Sequence, residues 1–557
     1  MPARKTPVNK HDRVREYEAF VFLDLTTPGG RKELRRQVDC QDGARPGRSG
    51  LTPPAERLLD LIETRGYSAA VLEHDYIDID HRAALARFYR LRHRDTAARC
   101  VRVHLFEKPV DRTSLETGLQ KDEIESYRGF LVLRPFSHET LGRCILSGDL
   151  LRDQNRTYVT CKAPYSVNLA GHEIKFDGTP WMEQDGMVSA CASAALWVIG
   201  WHLGHFFRGG HRLYTTPEIT ELATQYNLGT GRAMPSGGLN IDQMCHALHA
   251  MGYAPLLFGE YETLPADLAQ SCVYTYVESG IPALLNLQFP LEGGHAVALV
   301  GHRLEATARP EPFEFAPEGK LPLKLFDASQ FASRFVAQDD AGGPFRLVEF
   351  LDRDAWVRND DPDLEILRND REFGQDFDRL EAGFTCGVLF DRGTENRAFA
   401  FLGAILIPSP PRVTLGYREA LTKAYALLIG FERTFRPLLK GPLVLRAYLR
   451  RSNAVKADCR ATELNQEVKR RICWHPMPKW VWVAEITDLR GHRKNKAKIA
   501  GLILLDAAGH ADAEPKEDLI LLLTPQALVL GYPDPKRRIE TFVVDQPPFS
   551  RYERPAE

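Results

Sequence analysis

The chain of 557 residues is expected to fold as an α+β protein. In this reading a helix carrying a cysteine packs on an antiparallel sheet carrying a histidine and an aspartate, with an α/β region on either side. Three stretches predict it. Gln184 to Trp197 places Cys191 where a helix should begin, because Ala192 to Ile199 is a small-then-apolar run without a breaker. Gly280–Leu287 and Gly293–Gly301 are apolar runs joined by a glycine-containing turn, the pattern of neighbouring strands. Arg334–Gln338 is a third strand, ending in Asp339-Asp340-Ala341-Gly342-Gly343-Pro344.

In chain order, residues 1–156 form the first region. Ala19–Leu25, Cys100–Phe106 and Tyr127–Pro135 read as strands. Pro54–Arg65, with Leu58, Leu59, Leu61 and Ile62, and His81–Arg94 read as helices, and Cys40–Gly50 as a loop. No phosphate-binding loop, dinucleotide fingerprint or metal-ligand spacing marks this region. The central domain is expected over 157–350, opening with the polar–apolar alternation of Tyr158–Cys161 and His172–Phe176. Residues 305–333 read as an insertion between two of its strands, overhanging a cleft or lying as a solvated loop.

An acidic connecting segment follows over 351–376, and a C-terminal α/β region over 377–557. Its strands are Phe399–Pro408, Pro442–Leu449, Lys479–Ile486 and Ile499–Leu505, with a helix from Tyr417 to Thr434. Trp474, Trp480 and Trp482 beside Pro476 and Pro478 suit a groove for a protein partner or simple core packing.

The chemistry centres on Cys191. With Ser189 as the expected N-cap, Cys191 falls in the first helical turn, where unpaired amides and the helix dipole favour thiolate over thiol. Gln184 lies in the preceding loop, from which its amide and the Cys191 N–H can together hold an oxyanion. His295, at the mouth of a strand, is the candidate base, and the carboxylates that end the third strand stand ready to orient it.

Gln184, then Cys191-Ala192-Ser193-Ala194-Ala195 opening a helix, then Gly280-Ile281-Pro282 before a strand, then His295-Ala296-Val297-Ala298-Leu299-Val300-Gly301, then a strand ending in Asp339: this order resembles the papain-like cysteine peptidases. It is most similar to the branch related to the double-glycine leader peptidases of bacteria, over roughly residues 175–350. The resemblance implies Gln184 as oxyanion donor, Cys191 as nucleophile, His295 as base and Asp339 as its orienter. It also implies a protein or peptide substrate cleaved through a thioester. An amine in place of water makes the same site an acyl-transferase or cross-linking enzyme, and lost chemistry leaves an interaction scaffold. The chain departs from the pattern between His295 and Asp339, a stretch longer than a hairpin needs. Asp340 competes with Asp339 for the orienting role, and Asp327 is a third contender.

Composition narrows the class further. Lys and Arg number 72 against 74 Asp and Glu, a net charge of −2, so the whole chain carries no electrostatic footprint for nucleic acid. The basic run Arg490–Lys498 is the one place suited to nucleic acid or an acidic partner, or is simply a solvated loop. No signal-peptide core and no membrane-length apolar stretch is present, and the ten scattered cysteines lack a C-x-x-C pair, so a reduced, cytoplasmic setting is expected. His202 and His205, with His211 nearby, and His246 and His249 have helical spacing but no further ligands. Neither a metal nor a cofactor is expected.

Overall fold

The computed structural model describes residues 19–39, 50–93, 96–136, 139–151, 156–188, 190–207, 212–226, 234–259, 263–289, 293–305, 307–315, 323–352, 378–380, 382, 385–391, 397–431, 441–494, 497–533 and 539–550. Mixed α+β architecture is observed, built on three sheets whose strand pairs are antiparallel with one exception.

The first sheet runs in the order 20–24, 69–76, 100–106, 127–133, 141–146, 172–181, 163–169. Its pairs are all antiparallel, so this region is α+β rather than an alternating α/β unit. The helix Pro53–Arg65 packs on it through Leu58, Leu59 and Ile62. Thr52 caps that helix, prolines occupy its first turn, and Gly66 ends it at φ 75°. Strands 163–169 and 172–181, expected to open the central domain, extend this sheet instead. The second strand crosses to its far end, where Trp181 pairs with Cys144.

The central sheet runs 283–289, 293–304, 332–339, 343–351, 387–391, 397–409, and the last strand pairs back onto the first, closing a six-stranded barrel. Strand 254–258 adds to its rim. The two expected pairings around His295 are present, with strand 283–289 on one side and 332–339 on the other. Strands 387–391 and 397–409, expected in the C-terminal region, belong to this barrel. Phe399–Ile407 is apolar on both faces, so nothing local tells which distant strand it joins.

The third sheet holds 313–315, 323–327, 443–451, 480–488, 498–506, 519–523, 527–531 and 539–543. Its first two strands come from the expected insertion. Strand 323–327 lies parallel to 443–451, so the insertion is a structural bridge to the C-terminal region rather than a free loop. The acidic segment lies almost wholly outside the described residues. Trp480 and Trp482 are core residues while Trp474 is 81% exposed, so the three do not line a common groove.

The helix Cys191–Phe206 threads between the first two sheets. Every side chain from Ala192 to Leu203 is buried, as expected of a helix that is apolar all round. No helix among the described residues is long and apolar enough to cross a membrane.

Candidate active site

Cys191 is the first residue of its helix. Ala190 is the N-cap, at φ −86° and ψ 166°, and its methyl group accepts nothing; Ser189, the expected cap, lies outside the described residues. The first-turn amides therefore face the sulfur without a capping side chain from Ala190. Cys191 is half-buried, whereas Cys100, Cys144, Cys161, Cys272, Cys386 and Cys459 are buried. Burial pushes the Cys100 and Cys459 thiols up to about 12, out of reach of reactive chemistry.

His295 meets the carboxylate expected of it. Its Nε2 lies 3.0 Å from Asp339 Oδ1, and Cys191 is near enough to add to the support of the imidazolium. With Nε2 turned to the carboxylate, Nδ1 is the nitrogen left for the sulfur. Phe289 packs edge-on against the imidazole at 5.8 Å. Burial pulls the His295 pKa down, but the Asp339 hydrogen bond, the neighbouring Cys191 and the charges of Asp339 and Asp340 outweigh it. The imidazolium is favoured well above its usual range.

The two competing aspartates separate by environment. Asp339 Oδ1 also accepts the Ala341 N–H at 3.0 Å, and its other oxygen is held by Arg346. Burial opposes its ionisation, but His295, Arg346 and that N–H prevail and hold the carboxyl well below the usual range. Asp340 Oδ1 is 3.8 Å from His295 Nε2, and its Oδ2 is buried without a hydrogen-bond partner. Burial, with the Asp339 charge adding and the His295 charge opposing, pushes Asp340 up to about 7. Asp339 is thus the ionised partner of the imidazole and Asp340 a neighbour that holds its proton in mild acid. Asp327, the third contender, caps the short helix Ala328–Phe331 by accepting the Ser329 N–H at 2.9 Å, and also accepts from Ser271 at 3.2 Å. Its role is structural.

Gln184 is half-buried in the segment between Trp181 and Cys191. The residues beside it are tied down. Glu183 accepts the Leu141 N–H at 3.1 Å, and Asp185 accepts the N–H groups of Met187 at 3.0 Å and Val188 at 2.8 Å. Arg134 donates to the Glu183 carbonyl at 3.1 Å.

Sequence reading missed the supports of the carboxylate. The hairpin Ala332–Leu351 turns through residues 340–342, with Asp339 facing Gly343. Arg346 lies beyond that turn, where no spacing rule flags it. Phe345 sits at φ 55°, an unfavourable value for an aromatic residue, costing about 1–2 kcal/mol. Gln338 Oε1 accepts its N–H at 3.0 Å.

Other sequence candidates fall away. His202 is fully buried, with Nε2 bonded to the Gly280 carbonyl at 2.9 Å, and burial holds its pKa down to about 4. His205 bonds the Trp201 carbonyl at 2.8 Å. His246 and His249 are exposed, and His211 lies outside the described residues. Among the described residues, the cluster tight enough for a cation is His295, Asp339 and Asp340, with ligand atoms within 4.8 Å. There Arg346 already balances Asp339.

Comparison of the chain with protein-family models, curated proteins and solved structures finds no match.

Proposed function

We propose that the protein is a cysteine peptidase, hydrolysing peptide or isopeptide bonds through a thioester on Cys191. The observation that carries this reading is a helix-start cysteine beside a strand histidine whose ring is hydrogen-bonded at 3.0 Å to a buried, arginine-paired aspartate. A site kept only for packing has no need to bury two carboxylates against a histidine while leaving the thiol half-open.

In the proposed reaction the Cys191 thiolate, paired with the His295 imidazolium, attacks the substrate carbonyl carbon. The oxygen takes the negative charge, held by the Cys191 N–H and the Gln184 amide. As the tetrahedral species collapses, the C–N bond breaks and the leaving amine takes the proton from His295. Water then attacks the thioester, giving its proton to His295, and the C–S bond breaks to release the acid and restore the pair. The substrate is a protein or peptide.

Brief exposure to an electrophilic epoxide, read by intact mass and peptide mapping, tests this. A single adduct on Cys191, absent in Cys191→Ala and slowed at least about a hundredfold in His295→Ala, is expected. Labelling spread evenly over Cys191 and the other half-buried thiols, Cys245 and Cys473, would sink the proposal.

A further inference from the structure

We infer that the N-terminal domain is part of the catalytic apparatus: the helix Pro53–Arg65 clamps the aspartate hairpin, and Arg57 is a positioning residue for Asp339. This rests on the cysteine-peptidase reading above.

One side chain near the start of that helix reaches the hairpin. Arg57 donates from Nε to the Pro344 carbonyl at 2.8 Å and from the guanidinium to the Phe345 carbonyl at 2.7 Å. Those carbonyls directly precede Arg346, the residue that holds Asp339. Burial raises the pKa of Glu183, the neighbour of Gln184, and Thr52 at the start of the same helix favours its ionised form. Another contact comes from the end of the first sheet, where Trp181 Nε1 donates to the Asp339 carbonyl at 2.9 Å.

Gly343 shows how close the fit is. A Cβ there would lie 2.8 Å from Arg57 Cδ and 3.2 Å from Pro54 Cα, so only glycine lets the helix reach the hairpin. The backbone there is at φ 104°, a second reason for glycine.

Ordinary domain packing does not account for Arg57. Burial, then the like charge of Arg346, push its pKa down to about 10, with Asp391, Asp339 and Asp60 opposing. An apolar side chain of that length would fill the space without opposing Arg346. What the guanidinium adds is a fork that fixes two successive carbonyls on either side of a strained residue, and so the direction in which Arg346 leaves the chain. Through Arg346 it acts on Asp339, and through Asp339 on the imidazolium.

The consequence is a titration. The charged groups facing His295 are Asp339, Asp340 and the Cys191 sulfur, and Arg346 and Glu183 lie behind the two aspartates. If Asp339 drifts from Nε2, the imidazolium loses its strongest support, and the thiolate loses its counter-charge in mild acid.

The experiment is the pH dependence of Cys191 alkylation by iodoacetamide between about pH 5 and 9, on the full chain, mapped by peptide mass. In the wild type Cys191 should react in mild acid well ahead of Cys245 and Cys473. In Arg57→Met the rate at pH 5.5 should fall by about tenfold or more, while the rate at pH 9 stays within about twofold. Arg57→Lys, keeping one donor group, should lie between, and Trp181→Phe should lower the pH 5.5 rate in the same way.

An Arg57→Met profile that overlays the wild type overturns the inference. A wild type whose Cys191 has no advantage in acid overturns the peptidase reading itself. Buried Cys144 and Cys386 report on folding. If Arg57→Met exposes them, Arg57→Lys and Trp181→Phe decide by the same fall or its absence.

Discussion

Asp339→Asn is expected to slow peptide hydrolysis by about 10⁴-fold, while Asp340→Asn leaves it within a few-fold. The asparagine keeps the shape of the hairpin but removes the charge that favours the imidazolium at Nε2, 3.0 Å away. It also leaves Arg346, 7% exposed, without its ion partner, a change that costs about 3–5 kcal/mol for a buried pair. Kinetics on a fluorogenic peptide pool, with melting curves for both variants, check the pair of outcomes. Equal losses at the two positions would mean that the site uses the carboxylates jointly.

The stability effects also differ in sign with pH. Asp339 has a depressed folded pKa, so it contributes stability above the ordinary carboxylate range that is lost as pH falls through its folded value. Asp340 is raised to about 7, so the folded chain holds a proton that the unfolded chain releases from about pH 4 upward, and stability falls across that window. Asp340→Asn should therefore melt higher than wild type at pH 8 and show no such gain at pH 4.

Arg446→Met is expected to cost about 3–5 kcal/mol without touching the thiol site. Arg446 bridges two sheets. From strand 443–451 it donates to Glu278, at 2.7 Å from Nε, and to Glu485 at 2.9 Å. Glu278, at the end of the helix Ala266–Glu278, is also bonded to His302 on the strand that carries His295. Without the guanidinium both buried carboxylates lose their cation, leaving Glu278 its bond to His302 and Glu485 the Tyr448 hydroxyl at 2.8 Å. Chemical denaturation should show the C-terminal sheet unfolding first, while Cys191 keeps its acid reactivity at low denaturant. Adding Glu485→Gln should recover part of the loss, because one uncompensated charge is then gone. A single variant as stable as wild type would show that the network is solvated.

The elements around the nucleophile were legible because their signals are local. A small-residue run after Cys191 marks a helix start, apolar runs at 283–289 and 293–304 mark paired strands, and the acidic turn marks the end of a third. The closing of the barrel was not, since strand 397–409 is apolar on both faces and, besides its neighbour 387–391, pairs with 283–289 and 254–258 far back in the chain. The same holds for strand 323–327, whose partner is 443–451. Arg57 and Arg346 were invisible for a different reason. Arginine is common, and only the folded hairpin shows that one of them meets carbonyls and the other a carboxylate. The Asp339–Asp340 ambiguity likewise needed three dimensions, because both carboxylates approach the imidazole, at 3.0 and 3.8 Å, and only Arg346 and the Ala341 N–H single out Asp339.

The barrel's closing strand has a consequence for how the molecule is made. Chains fold largely from the N-terminus as they leave the ribosome, at about 5–20 residues per second. All three reactive side chains emerge before strand 397–409, which must pair with 283–289 beside the histidine strand, and before 443–451, which anchors 323–327. The histidine and its aspartate therefore wait, on a barrel still open along one seam, for partners not yet translated. On the proposed peptidase activity, a chain assembled this way stays silent while it is itself the nearest substrate. Ribosome-bound chains stalled with residue 380 just outside the exit tunnel should leave Cys191 unreactive toward iodoacetamide at pH 5.5, and chains released at full length should not.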